Sequence, residues 1–224
     1  MTKRAVIIIS QNQSSSIPDL LLVLRTIKAD RIWVLDRCTD NSAEILSGET
    51  VIENKEGRGF LAGKMRDIGL EEVLKSNYDE VIFLDGDRIP QNMTDKKLDE
   101  EMKNSDCIIF HRDLPEMSED YFKLLNVPLI VTQVYTAGIC VKVHFLKLIR
   151  DKYQRCFHPA FDGEWGFEDY FFGLELFFLD AKINKSSIRI SGSYEPEADK
   201  IKRLTINYNK FRYMRDRLYE NHAR

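Results

Sequence analysis

Two aspartates follow an apolar run in the stretch VIFLDGDRIP. Asp85 and Asp87 flank Gly86, at the point where a buried strand is expected to end. Residues i and i+2 of an extended chain point to the same side, so both carboxylates can face one point. Because neighbouring carboxylates repel each other and are costly to bury, the pair predicts a bound cation, unless the aspartates only cap a turn. An all-oxygen site favours Mn²⁺ or Mg²⁺, which would also neutralise a nucleotide diphosphate.

A second pair of acids lies in the segment FDGEWGFEDYFFGLELFF. Glu168 and Asp169 open an otherwise apolar helix, and the helix dipole alone would favour acids there. Trp165, Phe167 and Tyr170 give the pair a partly desolvated setting, in which a carboxylate can have a raised pKa and act as a general base. Trp165 can also stack on the apolar face of a sugar.

Two further segments carry candidate nucleotide-binding residues. In VLDRCTDNSAE a strand ends at Asp36, which can hydrogen-bond a nucleobase or ribose, while the following polar residues suit ordinary helix capping. In NKEGRGFLAGKMRDIGLEE, Arg66 lies one turn into a helix and can reach a phosphate or a base, or can be a surface residue. The glycines before it do not have the spacing of a dinucleotide-binding fingerprint, which excludes a Rossmann cofactor site.

Strand-like and helix-like runs alternate over the first half of the chain. Strands are predicted at Ala5–Ser10, Arg31–Asp36, Thr50–Asn54, Glu80–Asp85 and Asp106–His111, and helices at Pro18–Ala29, Ser42–Leu46 and Leu61–Ser76. The strands are mostly apolar, which is typical of a parallel sheet covered by helices. Ligands of such sheets bind beyond the carboxyl ends of the strands, where Ser10 and Asn12 also lie.

The second half of the chain is less regular. Helices are predicted at Ser118–Leu125 and Lys142–Tyr153, apolar segments at Leu129–Val134, Thr136–Val141 and Phe167–Ala181, and a short strand at Ile188–Ser191. We therefore expect one domain over residues 1–224. It would have a nucleotide-binding half (1–112), an acceptor half (113–199) and a basic helical tail (200–224).

The charge is unevenly distributed along the chain. The net charge is −3 over 224 residues, but eight Lys and Arg against two acids from Lys200 onward give +6, which leaves −9 for the rest. Four aromatic residues are interleaved with the basic ones: Tyr208, Phe211, Tyr213 and Tyr219. An amphipathic helix with a solvated face explains this pattern, and contact with a diphosphate, a lipid surface or nucleic acid is the functional alternative.

Composition bounds the class of protein. Apolar residues make up 43% of the chain, enough for a sizeable core, and no stretch approaches the ~18 apolar residues of a membrane span. The four cysteines are far apart and the four histidines lack metal-ligand spacing, so neither a zinc site nor a disulfide framework is expected. The cytoplasm is the expected compartment.

The ordered set of segments resembles GT-A fold glycosyltransferases, in particular the large inverting nucleotide-sugar transferase family typified by bacterial polysaccharide enzymes. The resemblance covers about residues 4–181, through AVIIISQNQ, VLDRCTDNS, GKMRDIGL, VIFLDGDRIP, TAGICVKV and GFEDYFFGLEL. The W-G-x-E-D form of the last segment also resembles galactosyltransferase-like and polypeptide N-acetylgalactosaminyltransferase-like enzymes.

The resemblance implies a mostly parallel GT-A sheet with a smaller acceptor-side lobe, and a role for each matched residue. Asp36 would contact the base, usually uridine, and Arg66 would lie near the base or the phosphates. Asp87 would be the more direct metal ligand beside Asp85. For the sugars, Gly138 would face the donor, Glu168 would bind donor or acceptor, and Asp169 would deprotonate the acceptor hydroxyl.

The chain also departs from the family. Arg37 stands where a second acid is common. The segment RISGSYEPEADK offers no histidine as a later metal ligand, which leaves Ser191, Tyr194, Glu195 or water. The family's C-terminal membrane helices are not found, so a processive membrane synthase is not expected.

These observations predict a metal-dependent glycosyltransferase that moves a sugar from a UDP-sugar to a carbohydrate or other hydroxyl. Inversion is expected because a positioned carboxylate base implies direct displacement, with retention as the enzymatic alternative. Two other functions stay open: a non-catalytic module that binds nucleotide-sugars or glycans, and a transferase acting on modified bases of DNA.

Overall fold

The computed structural model describes residues 2–59, 61–112, 125–163, 166–191 and 198–222. Its strands are β1 Arg4–Ser10, β2 Ala29–Asp36, β3 Thr50–Asn54, β4 Glu80–Asp85, β5 Ile89–Gln91, β6 Cys107–Arg112, β7 Gly138–Lys142 and β8 Ile183–Ser191. Its helices are α1 Ile17–Leu24, α2 Ser42–Ile45, α3 Ala62–Leu74, α4 Asp95–Met102, α5 Val143–Tyr153, α6 Glu168–Phe178 and α7 Ala198–His222. Two short 3₁₀ turns cover Val131–Gln133 and Pro159–Phe161.

All eight strands form one mixed sheet in the order β3-β2-β1-β4-β7-β6-β8-β5. The pairs β3–β2, β2–β1, β1–β4 and β6–β8 are parallel. The pairs β4–β7, β7–β6 and β8–β5 are antiparallel. The predicted α/β architecture is confirmed: β3, β2, β1 and β4 are parallel, and β7 lies beside β4 in the opposite direction.

Helices cover both faces of the sheet, which explains why β1 is apolar without alternation. Ala5 and Ile7 point into the core under α3, α5 and α6, whereas Val6 and Ile8 point into the core under α1 and α4. Successive side chains of a strand point to opposite faces, so a strand buried on both faces needs an apolar residue at each position. All four of these side chains have no exposed surface.

A third apolar cluster packs α7 onto α6. Phe211 and Leu218 of α7 are buried against Phe167, Phe171 and Leu174. The basic tail is therefore anchored to α6 by aromatic and aliphatic residues.

Several boundaries differ from the prediction. α1 ends at Leu24 because β2 already begins at Ala29. β5 and α4 were not predicted: Pro90 argues against a central strand, and β5 is an edge strand paired only with β8. The Leu129–Val134 segment contains a 3₁₀ turn, and residues 118–124 of a predicted helix lie outside the described residues.

Four cysteines are free: Cys38, Cys107, Cys140 and Cys156. Within the described ranges, no helix combines the length and the apolar character needed to cross a bilayer.

Candidate active site

The end of β4 is linked to α3 by an ion pair. Nη2 of Arg66 donates to Oδ1 of Asp85 at 2.6 Å, and the Arg66 side chain is only 3% exposed. Nε and Nη1 of Arg66 are buried and have no hydrogen-bond partner among the described residues. Arg66 is therefore neither a surface residue nor fully satisfied, and its two remaining donor groups are available for a ligand.

The loop after β4 is closely packed around Gly86. A Cβ atom at this position would lie 2.7 Å from Oε1 of Gln13 and 2.8 Å from Oγ of Ser10. Both of those oxygens are buried without a hydrogen-bond partner in the described structure. Asp87, whose side chain is 38% exposed, lies beyond the glycine with Oδ1 3.4 Å from Nε of Arg88. The glycine thus allows the aspartate pair to approach the end of β1.

Burial of the carboxyl group is the main influence on the charge state of Asp85. The pKa of Asp85 is raised to about 6, mainly by burial, with Arg66 and Arg88 lowering it and the charges of Asp87 and Asp169 raising it. The guanidinium groups of Arg66 and Arg88 do not offset burial and the neighbouring carboxylates, so an added cation would be stabilised here.

The second pair of acids enters the same region from the start of α6. Phe167 adopts a left-handed backbone conformation (φ 71°), which turns the chain into the helix at Glu168. Glu168 is 7% exposed, and its Oε2 has no partner in the described ranges. Burial, together with the charge of Asp169, raises the pKa of Glu168, which favours the protonated acid. Asp169 accepts a hydrogen bond on Oδ1 from the hydroxyl of Thr136.

Arg66 connects the two pairs of acids electrostatically. Its burial lowers the pKa of the guanidinium, but the charges of Asp85, Asp169 and Glu168 outweigh this and raise the pKa overall. Acids from β4 and α6 therefore share one buried cation from α3. The sequence predicted each of these residues, and the structure brings them together.

Asp36 is at the end of β2, as expected, but its carboxylate is already occupied. Nε of Arg37 donates to Oδ1 at 2.8 Å, Nη2 of Arg37 donates to Oδ2 at 2.5 Å, and Nδ2 of Asn54 donates to Oδ1 at 2.8 Å. Arg37 also donates to the carbonyls of Gly57 (3.4 Å) and Gly59 (2.8 Å). A carboxylate has about four lone-pair positions, so roughly one is left for a nucleobase.

Asn12 and Gly138 have structural roles in addition to those predicted. Oδ1 of Asn12 accepts from the backbone N–H of Thr39 at 2.7 Å, which ties the loop after β1 to the loop after β2. A Cβ atom at Gly138 would lie 2.6 Å from the Ile190 side chain, so packing against β8 accounts for this glycine. Trp165 lies outside the described residues, and its predicted contact with a sugar stays a prediction.

The fold resembles those of solved glycosyltransferases. The chain superposes on S. aureus TarS in complex with UDP-GlcNAc with a TM-score of 0.63, at 19% identity over 88% of this chain and 60% of that one. It also superposes on M. tuberculosis glucosyl-3-phosphoglycerate synthase in complex with Mn²⁺, UDP-glucose and phosphoglyceric acid. The TM-score is 0.63, at 14% identity over 96% of this chain and 79% of that one. The chain has the GT-A fold.

The similarity is one of fold rather than of sequence. No protein-family model and no curated protein sequence matches the chain. The chain spans only 60% of the TarS fragment and 37% of a longer TarS structure, to which it is 21% identical with a TM-score of 0.65. In this GT-A fold, the candidate site lies at the end of β4, where the antiparallel β7 is inserted beside the parallel strands.

The residues at this edge of the GT-A sheet suit a hard divalent cation. Asp85 and Asp87 supply carboxylate oxygens, and the unpartnered Ser10 and Gln13 oxygens are close by. No group of three or more His, Cys, Asp or Glu with metal-binding geometry exists within the described ranges, so a nucleotide or water would complete the coordination. Of the proposed later ligands, Ser191 donates to the carbonyl of Ile89 at 3.2 Å, while Tyr194 and Glu195 lie outside the described residues.

Sequence reasoning assigned no contact to three residues of the candidate site. Thr136 contacts Asp169, Arg37 occupies Asp36, and Arg88 is 8% exposed with an Nε that makes no hydrogen bond among the described residues. Each lies inside or beside a quoted segment, but only Arg37 departs from the family pattern. A hydroxyl such as that of Thr136 gives no signal in a single sequence.

Proposed function

We propose that the protein is a glycosyltransferase that moves a sugar from a UDP-sugar to a hydroxyl of an acceptor. The observation that carries this proposal is the convergence of Asp85, Glu168 and Asp169 around the buried Arg66. A structural ion pair alone would not leave buried donors and acceptors unpaired on both Arg66 and Glu168. Solved structures of this fold hold UDP-GlcNAc in TarS and Mn²⁺ with UDP-glucose in glucosyl-3-phosphoglycerate synthase.

The nucleotide would bind along the carboxyl ends of β1, β2 and β4. Asp36 and Asn54 lie at the base end, and the free N–H groups of Arg66 can donate to the phosphates. Asp85 and Asp87 would hold Mn²⁺ or Mg²⁺ against the diphosphate. Such an ion, when bound, stabilises the negative charge of the departing UDP.

Asp169 would act as the general base. Its carboxylate takes the proton of the acceptor hydroxyl while the hydroxyl oxygen attacks the anomeric carbon. The bond from that carbon to the UDP oxygen breaks, and UDP leaves with the electron pair. One direct displacement inverts the anomeric configuration.

Glu168 would position a sugar rather than transfer a proton. Its raised pKa keeps the carboxyl group protonated, so it can donate a hydrogen bond to a sugar oxygen as well as accept one. Gly138 lies beside the end of β4, opposite Leu84, where the donor sugar would be placed.

A panel of UDP-sugars with Mn²⁺ tests the proposal. Slow UDP release from one donor in water, and faster release with an acceptor, marks the enzyme. Asp169→Asn should abolish transfer and retain UDP binding, because the substitution removes the base and leaves the nucleotide contacts. UDP binding without any turnover across the panel would instead favour a non-catalytic binding module.

A further inference from the structure

A cavity separate from the candidate active site lies between α7 and aromatic residues of α5, α6 and the segment that joins them. Its volume is about 420 Å³, within the range of small-molecule sites. Tyr153, His158 and Phe171 form one wall. Phe171 follows Asp169 by two residues, about 200° around α6, so the cavity and the candidate active site are on different sides of this helix.

The other wall is one face of α7. Its lining residues follow the i, i+3, i+4, i+7 pattern of one helix face: Lys210, Tyr213, Met214, Arg217, Leu218 and Asn221. Residues at this spacing share one side of a helix. The basic tail therefore presents an apolar stripe to the cavity, with two cations within that stripe.

The cavity is held open by contacts on either side of it. Nδ2 of Asn207 donates to the carbonyl of Gly166 at 2.9 Å, and the Phe211 ring packs 5.4 Å from the Phe167 ring. Near the other end of α7, the Tyr219 ring packs edge-on 5.0 Å from Phe178. These contacts set the position of α7 on the body of the protein on both sides of the cavity.

The aromatic wall is equally fixed. The His158 ring lies 5.2 Å from Tyr153 and 5.5 Å from Phe171, in edge-on geometry. The Tyr153 hydroxyl donates to the buried Glu175, whose charge is matched by Lys152 at 3.1 Å. The charge of Glu175, the acid held by this wall, is thus balanced by an ion pair.

The two cations of the cavity have unused hydrogen-bond donors. Nζ of Lys210 donates to the carbonyl of Ala160 at 3.0 Å, and Nη1 of Arg217 donates to the Tyr213 hydroxyl at 2.8 Å. An ammonium has three N–H donors and a guanidinium five, so each cation can bind further acceptors. Among the described residues, no Asp or Glu lines the cavity.

We propose that this cavity binds a single amphiphilic anion, with its apolar chain between Phe171 and Leu218 and its phosphate or carboxylate group on Lys210 and Arg217. The apolar walls match an alkyl chain, and the cationic pair matches only a negative head group. The proposal does not depend on the proposed function, because the ligand is bound away from Asp169.

Calorimetric titration of the full chain with dodecyl phosphate, below its micelle concentration, tests this site. Saturable binding at one site is expected, with dodecanol and dodecyltrimethylammonium at least about tenfold weaker because they lack the negative head group. Equal binding of dodecanol would overturn the proposal. Binding of the protein to phosphatidylglycerol vesicles without binding of the monomer would also overturn it, because that result indicates a membrane-facing surface.

Variants of α7 distinguish binding in the cavity from nonspecific attraction to the positive charge of the tail. Lys210→Gln and Arg217→Gln should each weaken dodecyl phosphate binding about five- to tenfold. Arg212→Gln is the matched control, because Arg212 lies over the Tyr208 ring rather than in the cavity, and it should bind like the wild type. Met214→Trp should reduce binding by filling the cavity, and thermal melts would verify that each variant is folded. A similar loss of dodecyl phosphate binding in Lys210→Gln, Arg217→Gln and the control Arg212→Gln would contradict the proposed site.

Discussion

The hydroxyl of Thr136 donates a hydrogen bond to Oδ1 of Asp169, joining the segment before β7 to the first turn of α6. Thr136 is fully buried, whereas Asp169 is partly exposed. A carboxylate can only accept hydrogen bonds, so the contact fixes one oxygen and leaves Oδ2 for an acceptor proton. Thr136 is thus a positioning residue for the proposed base.

Removal of this hydroxyl should slow turnover without weakening donor binding. Thr136→Val keeps the side-chain shape and should reduce kcat about tenfold with little change in the KM for the UDP-sugar, because the base loses its orientation. Thr136→Ser restores the donor and should recover most of the rate. A Val variant with wild-type kcat, or a Ser variant as slow as Val, would show that the contact is only structural.

Substitution of Gly59 should disturb both the stability of the fold and the nucleotide site. Its φ is +74°, and a Cβ atom would lie 2.3 Å from the carbonyl oxygen of Gly163. Gly48 is a matched control, because its φ is +94° but a Cβ there meets nothing within 4 Å. Gly48→Ala should cost about 1 kcal/mol of unfolding free energy from backbone strain, and Gly59→Ala clearly more.

The same variant should weaken UDP binding. The Gly59 carbonyl accepts from Arg37, which in turn occupies Asp36 at the predicted base site. Urea unfolding and UDP titration of the two alanine variants provide the measurement. Equal losses of stability at Gly48 and Gly59 would contradict the close approach to Gly163.

The buried Asp67 should make stability depend on pH. Asp67 shares Arg155 with Asp162: Arg155 lies 2.8 Å from Oδ2 of Asp67 and 2.6 Å from Oδ2 of Asp162. Burial raises the pKa of Asp67 to about 6, although Arg155 and two backbone N–H groups oppose the shift. One cation divided between two acids leaves the buried carboxylate undercompensated.

The direction in which the unfolding free energy changes with pH depends on how many protons the folded and unfolded states bind. The unfolded pKa of Asp is about 3.9, so between about pH 4 and 6 the folded state binds more protons, and the unfolding free energy falls as the pH rises. From pH 4 to pH 7 this fall should be about 1–3 kcal/mol larger for the wild type than for Asp67→Asn. Urea unfolding across this range measures it, with Glu71→Gln on the same helix as a control. Parallel pH curves for the wild type and Asp67→Asn would contradict the raised pKa.

Local sequence signals predicted the strands that carry the site but not the contacts between them. The apolar runs of β1 and β4 and the acids opening α6 follow from periodicity and the helix dipole. The Arg66–Asp85 pair, the Thr136–Asp169 contact and the occupation of Asp36 by Arg37 depend on how distant segments pack. The direction of β7 could not be predicted either, because a buried strand has the same apolar sequence pattern whether its neighbours are parallel or antiparallel to it.

The proposed function requires Asp85 and Asp87 to hold a divalent cation against the diphosphate of UDP. Calorimetric titration of UDP with and without Mn²⁺ measures this, using the wild type, Asp87→Asn and Glu100→Gln, whose side chain is exposed, as a control. We expect Mn²⁺ to tighten UDP binding about tenfold or more in the wild type and the control, and not in Asp87→Asn. Equal affinity of the wild type for UDP with and without Mn²⁺ would contradict it.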